Sequence, residues 1–138
     1  MVVSGRLVTS WGMSSYEDLD AFKACHHLTL AVHRVSEKVE ERDAELAGQL
    51  WAAALIASSR IARGAGFRQR RLFAACVDRT LGALSEIACH LEMARTMDLI
   101  SEADHRELES LGGRALFYVM KLAMSLEPDP AAGTAPPS

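Results

Sequence analysis

The chain has 138 residues, 49% hydrophobic and 24% charged, with a formal net charge of -3, which suits one ordinary core and leaves no room for a second domain. The mild acidity hides an asymmetry. Between Leu46 and Val77 the only charged residues are Arg60, Arg63, Arg68, Arg70 and Arg71, so this stretch carries +5, while the remainder, with ten basic and eighteen acidic residues, carries -8. Four segments then show helical periodicity between recognisable start and stop signals. The first opens at Ser15, with Asp18 three residues on as a capping box, and sets Leu19, Phe22, Cys25, Leu28, Val32, Val35 and Val39 along one stripe until the polar stretch from Glu40 to Glu45.

The second helix begins near Asp43 and carries Leu46, Leu50, Ala53, Ala54, Ala57 and Ile61. Its alanines permit close helix approach, and Gly64 suits the left-handed position after a helix end. Beyond the turn Gly64-Ala65-Gly66 the third helix repeats Phe73, Val77, Leu81, Leu84, Ile87, Leu91 and Ala94, ending near Asp98. Ser101 with Asp104 forms another capping box. The fourth helix buries Leu108, Leu111, Ala115, Val119, Leu122 and Leu126 and stops at Pro128 and Pro130.

The spacing therefore predicts an all-α fold, an up-down-up-down four-helix bundle over 15–126, because short connections force consecutive helices antiparallel. Residues 1–14 read as a flexible N-terminal extension, with Met13 as an alternative start, and 127–138, rich in Pro, Ala and Gly, as a disordered tail. No segment approaches the ~20 apolar residues of a membrane span, and the first twelve residues lack the pattern of a signal peptide. Cys25, Cys76 and Cys89 are odd in number and sit in apolar helical context. A reducing, cytoplasmic setting is the expectation.

That topology gathers Glu37, Glu40, Glu41, Asp43, Glu45, Asp98, Glu102 and Asp104 at one end, offset by Lys38 and Arg42, and the arginine turn at the other, where Glu17, Asp18 and Asp20 are available to pair with it. The order of motifs resembles a known family. Tyr16-Glu17-Asp18-Leu19, Phe22, Cys25-His26-His27-Leu28, Leu46-Ala47-Gly48-Gln49-Leu50, Ile61-Ala62-Arg63-Gly64 and Gly82-Ala83-Leu84-Ser85-Glu86, then Leu91, Ala94 and Leu99-Ile100, are similar to the bacterial four-helix proteins encoded within intervening sequences of large-subunit ribosomal RNA genes. The likeness covers about residues 16–126. It implies a homo-oligomeric, often ring-like bundle with no established enzyme activity and no cofactor. A related branch, the accessory variability determinant of diversity-generating retroelements, is similar in architecture, and implies a pentamer that partners a reverse transcriptase and contacts nucleic acid. Arg60 and Arg63 stand where the family usually has Asn and Glu, and Trp51-Ala52 replaces a commonly basic pair.

Among candidate functional residues, the arginines are the sharpest. Five guanidinium groups within twelve residues around a Gly-rich turn suit RNA or DNA phosphates, because planar donors match phosphate oxygens. The same pattern also fits an acidic protein surface, or a plain solvated helix end where Arg60 and Arg63 neutralise the C-terminal dipole. Trp51, with Leu55 one turn on, is the candidate subunit interface; the competing reading lays Trp51 across a neighbouring helix. Glu102 and His105 have the spacing of a di-metal ligand pair, but the apolar stripes leave no core carboxylates to complete such a site. Glu86, beside an apolar row, is expected to pair structurally and not to catalyse; buried, it would need a partner such as Arg60, Arg114 or a backbone donor. No nucleophile–base arrangement or phosphate-binding Gly motif is present. The leading function is a non-catalytic oligomeric bundle that engages nucleic acid or a nucleic-acid enzyme; the alternative is a purely structural assembly module.

Overall fold

The computed structural model describes residues 2–3, 6–7 and 16–128. Its helices are α1 (Tyr16–Glu40), α2 (Ala44–Ala65), α3 (Arg70–Thr96) and α4 (Glu102–Ser125), and Val2–Val3 (β1) pairs antiparallel with Arg6–Leu7 (β2), a two-residue ladder that the sequence pattern does not announce. Each helix packs on its neighbours in a closed ring, α1 on α2, α2 on α3, α3 on α4 and α4 on α1, which is the up-down-up-down four-helix bundle. Among the described residues no helix is long and apolar enough to cross a membrane. Ser15 and most of both terminal segments lie outside the described residues, so the flexible extension and the disordered tail do as well.

The expected stripes form the core. Leu28, Val32, Val35, Leu50, Ile61, Val77, Ile87, Leu108, Val119 and Leu122 are fully buried, while Phe22, Leu81, Leu111 and Leu126 close its edges half-buried. Asp43 caps α2 by accepting from the Leu46 N–H at 3.0 Å, and Ser101 caps α4 by accepting from the Asp104 N–H at 3.0 Å. α3 ends with Asp98 in the left-handed region at φ 56°: the Leu99 N–H reaches the Ala94 carbonyl at 2.8 Å and the Asp98 N–H that of Arg95 at 3.1 Å, a Schellman ending built without glycine.

Small residues make α2 the closely approached helix. Thr29 of α1 lies 3.2 Å from the Ala54 carbonyl and 2.6 Å from the Ser58 hydroxyl, and Thr80 of α3 donates to the Ala57 carbonyl at 3.0 Å. Side chains from both flanking helices thus reach the α2 backbone directly. Gly64 serves the same end. It is not the left-handed residue after α2: the helix runs through it to Ala65 and closes at Gly66 with ordinary right-handed geometry, φ -81°. A Cβ at Gly64 would lie 2.7 Å from Phe73 Cδ1 and 2.8 Å from Cys76 Cβ, so glycine is required there for contact with α3, not for its backbone freedom.

Candidate nucleic-acid interface

The two ends of the bundle are joined differently. At the acidic end, Arg42 donates to the Asp98 carbonyl at 2.8 Å and Lys38 to Asp104 at 2.8 Å, while Arg34 meets Glu107 at 2.6 Å along the α1–α4 seam. Both basic residues at that end, Lys38 and Arg42, are thus committed to contacts across the bundle. At the other end Arg70, in the first turn of α3, donates to the Ser125 carbonyl and ties that turn to the last turn of α4.

Among the described residues Arg60, Arg63, Arg68 and Arg71 form no ion pair, and neither Glu17 nor Asp20 reaches them. Antiparallel packing adds a member that the local cluster does not contain. Ala57 lies opposite Thr80 and Gly64 opposite Phe73, so the α2 segment between them faces α3 residues 73–80, and Arg79 joins Arg60 and Arg63 on one groove of about 270 Å³. Phe67, Leu72 and Cys76 also line it. The Arg63 guanidinium sits 6.0 Å from the centroid of the Phe67 ring, at the edge of cation–π range. Arg60 Nε is shielded from water and has no acceptor, an arrangement that costs stability.

Local fields add to the charge. The first turn of α3 contains Arg70 and Arg71 and no acid, and its N-cap residue, Gln69, makes no side-chain cap. Helix N-termini carry partial positive charge and unmet N–H groups, so two cations there are held against the dipole. Arg63, in the last turn of α2, has the favourable placement instead. The helix dipole therefore accounts for Arg63 but disfavours Arg70 and Arg71.

A second concavity, about 310 Å³ between α3 and α4, is apolar and edged by Glu92, His105 and Glu109. Its sign suits no phosphate. His105 lies 3.5 Å from Glu92 and 3.9 Å from Glu109, whereas Glu102 turns to Arg95 at 3.7 Å, so the Glu102–His105 spacing does not produce a shared site. The Arg95 guanidinium, hydrogen-bonded to Glu92, holds that carboxyl below its usual range. Among the described residues no three His, Cys, Asp or Glu side chains gather as a metal site. Glu86 is exposed on α3 and needs no buried partner, contrary to the sequence expectation.

Trp51 is half-buried and packs edge-on against His33 of α1, ring centroids 5.0 Å apart, so it does lie across the neighbouring helix; Leu55 is exposed. The larger uncovered apolar face is on α4, where Leu116, Phe117, Met120 and Met124 line a groove and Phe117 is 61% exposed. The sequence reading missed it because Ala115, Val119 and Leu122 already satisfied the helical stripe. A second apolar row one residue out of phase was the available signal.

A sequence model of the 23S rRNA-intervening sequence protein family matches residues 17–114. The chain belongs to that family. The matched span runs from the start of α1 to the middle of α4, and therefore includes the whole arginine groove. No curated protein is similar enough to be matched with the chain.

Proposed function

We propose that this member of the 23S rRNA-intervening sequence protein family is a non-catalytic, homo-oligomeric binding protein that holds RNA at its arginine end. The observation that carries the reading is the groove of Arg60, Arg63 and Arg79, which form no ion pair among the described residues, flanked by Arg68 and Arg71 and by the start of α3, which has no side-chain cap. Guanidinium groups bind phosphate oxygens bidentately, and releasing counterions from a polyanion makes such binding strong at low salt and weak at high salt. Oligomer formation is supported by the apolar face of α4, Leu116, Phe117, Met120 and Met124, which on a lone subunit stands in water. Trp51 and Leu55 are the second candidate contact. A pentamer, and a reverse transcriptase as protein partner, are the specific forms suggested by the resemblance to the accessory variability determinant; native mass and gene neighbourhood decide them.

The test is RNA retention as a function of salt. Affinity should fall steeply from about 50 to 200 mM salt, and Arg68→Ala with Arg71→Ala should weaken binding and flatten the slope by about one contact per arginine removed. RNA binding that ignores both salt and these substitutions would sink the electrostatic reading. A defined oligomer with no RNA affinity at any salt would leave the structural assembly module.

A further inference from the structure

The groove contains more than phosphate binding requires. A surface that only tracks a polyanion needs cations; this one also has an aromatic ring, Phe67, 36% exposed at the turn between α2 and α3, beside an apolar wall of Leu72 and Cys76. The ring stands with one guanidinium, Arg63, at 6.0 Å, and Arg60 and Arg79 complete the wall. In a duplex the bases are paired and stacked, and their faces are closed to a protein ring. Only an unpaired nucleotide can offer a free base face to Phe67 and a phosphate to the arginines at once.

We propose that the groove between the end of α2 and the start of α3 binds single-stranded RNA, seating one unstacked base against Phe67 while Arg60, Arg63 and Arg79 hold the adjoining phosphates. At about 270 Å³ the groove is open and short, a seat for a single nucleotide and not for a stacked helix. Gly64 fixes its base: with no Cβ, α2 and α3 come close enough to put Arg60 and Arg63 opposite Cys76 and Arg79. The inference rests on the RNA-binding reading and sharpens it by naming the strand state and the aromatic contact.

The experiment compares three probes by fluorescence anisotropy on the full chain at one low salt concentration: a twelve-nucleotide single-stranded RNA, the same sequence as a duplex, and an abasic strand of equal charge. The single strand is expected to bind about tenfold tighter than either of the others, since stacking of one base on an aromatic residue has about that effect. Phe67→Ala should reduce single-strand affinity about tenfold and leave the abasic strand unchanged, while Phe67→Trp keeps the preference. Phe67 is exposed in a turn, so the variants are expected to fold, and circular dichroism checks it. Equal binding of all three probes, or an unchanged single-strand affinity in Phe67→Ala, overturns the single-strand inference and leaves electrostatic RNA binding standing. Failure of every probe to bind removes both.

Discussion

Gly64 of α2 and Phe73 of α3 meet so closely that a single added carbon at Gly64 would stand 2.7 Å from the Phe73 ring. The Cys76 Cβ, 2.8 Å away, is fixed to the backbone of the same helix and cannot yield alone. Gly64→Ala gains about 1 kcal/mol of helix propensity but overpacks a buried contact at a cost of about 1–3 kcal/mol. The net expectation is a lower urea midpoint and a widened α2–α3 spacing. Gly82 of α3 is the control: nothing lies within 4 Å of its would-be Cβ, so Gly82→Ala should stabilise by about 0.5–1 kcal/mol. If both substitutions shift the midpoint upward, the close approach at Gly64 is not what the geometry says it is.

Asp98 gives a prediction of the opposite kind. It holds φ 56° at the end of α3, a region in which residues with a Cβ are strained and glycine is not. Asp98→Gly should therefore raise stability by about 0.5–1 kcal/mol, and Asp98→Val should lower it by more than that, because a β-branched residue tolerates this backbone worst. Arg42 bonds to the Asp98 carbonyl, not to its side chain, so the substitution leaves that contact in place. Thermal melts of the two variants decide it.

How much of this was legible in the sequence depends on whether a feature is local. The four helices, the start of α2 near Asp43, the cap at Ser101 and the buried rows follow from spacing and cap chemistry within a few residues, and the structure has them. Gly64 was misread because a glycine near a helix end has two causes, a left-handed turn or a close neighbour, and only the position of Phe73 separates them. Arg79 was missed because it joins the groove through the register of α2 on α3, which the Thr80–Ala57 bond sets. Arg70 belongs to the basic cluster in sequence, yet in space it is committed to Ser125. That separation needs α4 in place, so no local pattern announces it.

Burial of Cys25 has a consequence at alkaline pH. Fully enclosed in the core, its thiol is pushed from the ordinary 9.0 up to about 12 by loss of water around the thiolate. The folded state keeps the proton while the unfolded chain releases it, so the stabilisation is complete below about pH 9 and is lost as pH rises toward about 12. Within that window the residue should contribute about 1.4 kcal/mol of lost stability per pH unit. Cys25→Ala is expected to be less stable at neutral pH, because of the cavity, but to fall more slowly between pH 9 and 11. Parallel stability–pH curves for the two proteins would show that Cys25 titrates alike folded and unfolded.

The start of α3 links stability to binding. Gln69 has the extended backbone of an N-cap, φ -81° and ψ 123°, but supplies no side-chain acceptor, and the turn it begins contains Arg70 and Arg71 with no acid. Gln69→Asp would accept a free N–H and place a negative charge at the positive end of the helix dipole, stabilising the protein by about 1 kcal/mol. The same carboxylate lies within the arginine turn and offsets the charge offered to phosphate, so RNA affinity and its salt slope should both fall. Stability and affinity are thus expected to move in opposite directions, read by urea melts and anisotropy on one preparation. If Gln69→Asp raises the urea midpoint while RNA binding is untouched, the start of α3 contributes nothing to the interface, and the arginines of the groove act without it.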